Sequence, residues 1–267
     1  MKNLITLLII LVVIFNFTAY SKIDKNISYY FSLHPAFITN SNPAKVKIFL
    51  LSKYAGSVIV EIGEKGILQE VELQPDKLSV IELDAADCMP YIFESREEYS
   101  LKPEGVYENV AVVIYSNIAK DFLCYAIFEH DNKSEAIQLM RSDILGKVYQ
   151  VSSNFGSEED KIAFTSIIGI YDNTKVTFRI GGCEGCSIKL ADGDSAKSGS
   201  VIRRTVNQGD VWLLGIDGYG ATLSGSKITA TKPIGVISGA SYNDKSSSAY
   251  IAETEIPESS WGSNYIL

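Results

Sequence analysis

The chain has 267 residues, 24 of them Lys or Arg against 32 Asp or Glu, for a formal net charge of −8. That acidic balance argues against nucleic acid and anionic membrane surfaces as partners, because both would repel it. Only two histidines occur, His34 and His130, which starves most catalytic and metal-binding schemes, and no cofactor is expected.

The chain opens as a secretory signal. Lys2 supplies a positive start, Leu4 to Phe17 is an almost unbroken apolar run, and Ala19-Tyr20-Ser21 places small residues where a signal peptidase reads. Cleavage after Ser21 leaves 246 residues (267 − 21) and, with Lys2 the only charge removed, a net charge of −9. The apolar run is shorter than the ~20 residues a membrane crossing needs, so no membrane insertion is expected once the signal is gone. A lipid anchor at the cleavage site is excluded, since the first cysteine is Cys88. The expected location is secreted or cell-surface.

The elements that follow read as strands. Tyr29-Tyr30-Phe31 forms an aromatic opening strand. Val46 to Leu50 and Val58 to Ile62 are β-branched runs separated by a turn around Gly56, and Val71 to Leu73 and Leu78 to Leu83 flank the turn signal Gln74-Pro75-Asp76. Val110 to Tyr115 and Phe122 to Phe128 are apolar enough to be buried on both faces. The best helical candidates, Ser134 to Ser142 and Ala249 to Ser260, lack a helical stripe, and Pro257 interrupts the second. Short strands with turn signals every 8–12 residues or so indicate an all-β chain, a sandwich or a barrel.

The strand pattern repeats. Ser57 to Ile62 aligns with Lys175 to Ile180 at an offset of 118, Val110 to Ser116 with Gly225 to Thr231, and Cys124 to Phe128 with Pro233 to Ile237. Leu145-Gly146-Lys147-Val148-Tyr149 aligns with Trp261-Gly262-Ser263-Asn264-Tyr265 at an offset of 116. The expected organisation is a signal peptide (1–21), two tandem β-sandwich-like domains (22–142 and 143–260), and residues 261–267 as the opening strand of a possible third domain. The chain is therefore expected to continue in a longer parent, or else to fold that strand back onto the second unit.

Four cysteines in an exported chain point to disulfides. Cys183-Glu184-Gly185-Cys186 suits a small bridge pinning a hairpin tip, because a redox pair would need a helix N-terminus and a zinc site a second pair. Cys88 and Cys124 are expected to form a second structural bridge, with two buried free thiols as the competing reading. Neither His34, beside Pro35, nor His130, beside Asp131, accompanies a nucleophile motif, so both read as surface or capping residues. Glu158-Glu159-Asp160 and Glu253-Thr254-Glu255 read as solvated faces. Asp192-Gly193-Asp194 is oxygen-rich and turn-forming but lacks the remaining spacing of a calcium loop. The sequence shows no phosphate-cradling loop and no basic stripe.

One stretch carries a family likeness. Thr222-Leu223-Ser224-Gly225-Ser226-Lys227-Ile228-Thr229-Ala230-Thr231-Lys232-Pro233-Ile234-Gly235-Val236-Ile237-Ser238-Gly239 resembles the signature of the IgG-Fc-binding protein N-terminal domain family, and Pro257 to Gly262 supplies that family's following P-x-x-x-W-G segment. Leu145 to Tyr149 and Tyr29 to Leu33 resemble its LG-x-x-Y element and opening strand. Cysteines that commonly bracket the loop after the Ser-Gly are missing from 240–249. Pro233 belongs at a strand start, Gly225 and Gly239 at a tight turn or close backbone approach, and Trp261 is expected as a core anchor between units. The resemblance implies a non-catalytic extracellular binding or adhesion module for a protein or glycan ligand, with a structural spacer as the alternative. Recognition is expected in the polar loop after the signature, at Tyr242, Asn243, Asp244 and Lys245.

Overall fold

A computed structural model describes residues 27–41, 43–94, 101–116, 121–130, 132–152, 161–182, 185–217, 220–242 and 250–262. The expected signal segment lies outside these residues. The chain is all-β, and among the described residues its helical elements are single 3-10 turns. The first strands are β1 (Ser28–Phe31), β2 (Lys45–Ser52), β3 (Gly56–Ile62), β4 (Ile67–Leu73), β5 (Leu78–Asp84), β6 (Gly105–Tyr107), β7 (Val112–Ser116), β8 (Phe122–His130) and β9 (Lys133–Gln138). There follow β10 (Val148–Gln150), β11 (Lys161–Gly169), β12 (Thr174–Arg179), β13 (Ser187–Lys189), β14 (Ser195–Lys197), β15 (Val201–Val206), β16 (Val211–Asp217), β17 (Lys227–Ala230), β18 (Ile234–Tyr242) and β19 (Ile251–Thr254).

Period-two burial explains most of these strands. On β2, Val46, Ile48 and Leu50 point inward while Lys45, Lys47, Phe49 and Leu51 point outward. β7 is buried throughout, as the sequence suggests. β8 is not: Leu123 and Tyr125 are exposed between buried Phe122, Cys124 and Ala126, because one face of its sheet is open. The two helical candidates hold β9 and β19, their ends closed by 3-10 turns at Ser142–Ile144 and Glu258–Ser260.

Sheets β1-β7-β3-β4 and β5-β2-β8-β9 enclose one core, and sheets β10-β17-β12-β15 and β16-β11-β18-β19 another. The β13-β14 hairpin forms a two-stranded sheet of its own, with Ile188 and Ala196 buried in the second core, and β6 extends the last sheet beside β16. The two pairs of sheets share one strand order, with β1, β7 and β3 placed as β10, β17 and β12, and β5, β2, β8 and β9 placed as β16, β11, β18 and β19. Register agrees as well. Ile114 lies between Tyr29 and Val60, and Ile228 lies between Tyr149 and Phe178. Each of these tyrosines stitches its two sheets together: Tyr29 Oη donates to the carbonyl of Phe122 at 2.6 Å, and Tyr149 Oη to that of Ile234 at 2.7 Å. Those carbonyls belong to the first residues of β8 and β18.

The two cores meet through β11, which is buried on both faces. Ala163 and Ile167 face the second core, while Ile162, Phe164 and Ile168 lie toward residues of the first half. Phe93, with Phe37, Tyr91, Leu101 and Tyr107 around it, covers Ile162, Phe164 and Leu213. β6 crosses the expected 142/143 boundary to pair with β16. Gly239 permits the other edge of this sheet, since a Cβ there would sit 1.9 Å from the Ile251 carbonyl oxygen.

Candidate functional site

The outer face of the β10-β17-β12-β15 sheet gathers positive charge. Val176 and Phe178 fill the core, so Lys175, Thr177 and Arg179 must point to solvent. The same alternation exposes Val201, Arg203 and Thr205 on β15, and Lys227 and Thr229 around buried Ile228. Register sets Thr177 between Arg203 and Thr229, Arg179 between Val201 and Lys227, and Lys175 opposite Thr205. Strands lie about 4.8 Å apart, so cations and hydroxyls interleave across the sheet at that spacing.

An open groove of about 640 Å³ crosses this face, lined by Lys175, Val176, Thr177, Arg203, Arg204, Thr205, Thr229, Ala230 and Thr231. Among those lining residues there is no carboxylate and no aromatic ring. Lys175, Arg179 and Arg203 form no ion pair with any described residue, whereas Lys227 lies 3.4 Å from Glu258. The Thr231 hydroxyl accepts the Lys175 backbone N–H at 3.0 Å, tying that lip of the groove to β12.

The opposite wall rests on a buried carboxylate. Glu104, whose side chain is fully buried, pairs with the Arg204 guanidinium and accepts a hydrogen bond from Trp212 Nε1 at 2.6 Å. Trp212 is itself fully buried in the second core, edge-on to Phe178. Arg204 is thereby held against the sheet and leaves Lys175 and Arg203 as the groove's available cations. Such a surface can hold a ligand that offers carboxylates or sulfates together with hydroxyls.

The expected absence of a basic stripe is corrected: the stripe exists only after folding. Its cations stand at 175, 179, 203 and 227, and no run of them is contiguous in sequence. The alternation Lys175-x-Thr177-x-Arg179, with Arg203-x-Thr205, is the signal that could have shown it.

Of the expected recognition residues, Tyr242 alone falls among the described ones, and its strand belongs to a different sheet from the groove. Tyr242 ends β18 with its backbone opposite Lys161, while Asn243, Asp244 and Lys245 lie outside the described residues. The expected Cys88–Cys124 bridge is corrected, for both are free and buried. Cys88 follows Asp84, which pairs with Lys45, whereas Cys124 pairs with Leu50 five residues along β2. At about 3.3 Å per residue these two anchoring positions on β2 are roughly 17 Å apart, against the ~7 Å Cα reach of a disulfide. Burial pushes both thiols well above the usual range. Cys186 is disulfide-bonded, and Cys183 lies outside the described residues.

Three further expectations fall to long-range packing. His34 is not a surface residue but fully buried, its ring stacked on Phe164 and its Nδ1 3.2 Å from Ser166 Oγ. Tyr250 Oη accepts the His34 N–H at 2.6 Å and donates to the His34 carbonyl. This histidine and serine are sealed between the two halves, so the pair has no approach for a substrate. Glu255, expected on a solvated face, is buried: it accepts the Ser152 N–H at 2.6 Å and binds the Ser238 hydroxyl, and burial raises its pKa. Trp261, expected as a core anchor, is 50% exposed and donates to the Ile256 carbonyl. His130 is partly exposed, as expected of it. Asp192-Gly193-Asp194 forms the tip between β13 and β14, with the Asp194 N–H donating to Asp192 Oδ1 at 3.0 Å. Glu158, Glu159 and Asp160 lie outside the described residues.

Residues 135–267 match the family model described as IgGFc binding protein. This part of the chain belongs to the IgGFc-binding family. No curated protein matches the chain. Within the matched stretch the IgGFc-binding signature is built of structural positions. Leu223 and Ile228 are fully buried, Gly225 has φ +79°, Pro233 immediately precedes β18, and Gly239 makes the close approach to Ile251. The groove's Lys175, Arg203 and Thr229 also lie inside the matched stretch.

Proposed function

We propose that this IgGFc-binding family chain is an exported, non-catalytic binding module of two tandem sandwich units, and that the groove on the β10-β17-β12-β15 sheet holds an acidic glycan. The observation that carries the reading is the lining: unpaired cations interleaved with threonine hydroxyls, without a carboxylate. Protein interfaces concentrate energy in aromatic anchors, and this groove offers none, whereas a sulfated or carboxylated sugar polymer needs charge and hydroxyl contacts. The tandem organisation is supported by the shared strand order and register of the two sheet pairs. A second reading, a protein ligand, follows from the family's printed name, which refers to IgG Fc. Tyr242, at the end of β18, and Asn243, Asp244 and Lys245 after it remain a proposed secondary contact.

Titration of the secreted chain against dextran sulfate, neutral dextran and IgG Fc tests this. Dextran sulfate is expected to bind, more weakly as salt rises, and neutral dextran is expected not to. Lys175→Glu with Arg203→Glu should weaken binding at least tenfold, which is about 1.4 kcal/mol, with the melting temperature unchanged. Affinity indifferent to both substitutions would move the site elsewhere, and binding to Fc alone would favour the second reading. We also propose that Cys186 is joined to Cys183. A non-reduced digest should show the two in one linked peptide, and alkylation of both without prior reduction would refute it.

A further inference from the structure

Solvent-facing positions of the β5-β2-β8-β9 sheet hold an apolar patch. Leu51 lies between Leu78 and Leu123, and Phe49 lies between Val80 and Tyr125. Leu78, Val80 and Leu123 are 54%, 50% and 64% exposed. The Phe49 and Tyr125 rings stack with centroids 4.8 Å apart, which flattens the surface. The other end of the same face is charged but internally matched: Lys45 binds Asp84 and Lys47 binds Glu129, both at 2.6 Å. A partner settling on this sheet would therefore meet apolar side chains at one end and compensated charge at the other.

The exposed side chains present on the order of 500 Å² of apolar surface, in the upper part of the range that monomers carry and often use. The second half of the chain shows what covers such a face. In its sheet of the same strand order, the corresponding outer surface, with Ile162, Phe164 and Leu213, is buried under Phe93 and its neighbours from the first half. The chain thus already buries one face of this design against another part of itself. We propose that the outer face of the β5-β2-β8-β9 sheet is a self-association surface, covered by the same face of a second copy of this chain. Apolar end on apolar end would bury about 1,000 Å², near the lower bound for specific interfaces, so the dimer is reversible rather than obligate. A net negative charge on each copy opposes the encounter, and salt that screens it favours the dimer.

Sedimentation equilibrium of the secreted chain at low and high salt tests this. The unsubstituted chain should dimerise at tens of micromolar or so, more tightly at high salt. Leu123→Glu, at the most exposed position of the patch, should raise the dissociation constant tenfold or more while leaving the melting temperature unchanged. Should Leu123→Glu lower the melting temperature, Leu78→Lys on the edge strand reads the same surface with less demand on the core. A chain that stays monomeric at high salt overturns the proposal, as does a dimer indifferent to both substitutions.

Discussion

Arg204→Met is expected to lower unfolding free energy by about 3 kcal/mol. Arg204 is the cationic partner of Glu104, whose side chain has no exposure. Removing one member of such a pair leaves an uncompensated buried charge, which typically costs about 3–5 kcal/mol. The low end applies because the Arg204 side chain is itself about one third open to solvent. Methionine preserves most of the aliphatic packing, so the loss reports charge rather than volume. Urea unfolding of Arg204→Met and of the double variant Arg204→Met, Glu104→Gln checks it. The neutral amide can still accept from Trp212 Nε1 and should recover most of the loss. A cost below about 1 kcal/mol for Arg204→Met, as at exposed pairs, would mean that water reaches Glu104.

The strands were legible because alternation and turn residues act locally: Val46-Lys47-Ile48 and Lys175-Val176-Thr177 carry their own face assignment. Pro233, Gly225 and Gly239 were legible for the same reason, since a missing N–H, a positive φ or an absent Cβ constrains the backbone wherever it occurs. The groove was not, because Lys175, Arg203 and Thr229 come together only through the register of β12 with β15 and β17. His34 and Trp261 depart from their expected burial in opposite directions. Histidine beside proline near a chain start resembles a surface loop, and only the docking of β11 and Tyr250 against 32–38 buries it. Trp261 resembles a core anchor by size alone, yet the described residues leave half of it exposed.

Acid should therefore act on the junction between the halves through His34. Its ring faces Phe164, Ser166 and Tyr250, and burial, offset in part by the Ser238 backbone, pushes its pKa down from 6.5 to about 4. Above pH 6.5 the ring is neutral both folded and unfolded, and its contribution to stability is complete. As pH falls below 6.5 the unfolded chain takes up a proton that the folded chain refuses, so stability declines until about pH 4. At 1.36 kcal/mol per pH unit the loss is about 3 kcal/mol. Glu255 works in the opposite sense: burial raises its pKa, so its share of stability is present at low pH and lost as pH rises through the folded value. Unfolding curves of the unsubstituted chain alone would mix the two. His34→Gln separates them, since glutamine can still reach Ser166 Oγ but does not titrate. Between pH 6.5 and 4 the unsubstituted chain should lose about 3 kcal/mol more than His34→Gln. Parallel pH profiles for the two proteins would show that solvent reaches the ring and that the junction between the halves is not dry.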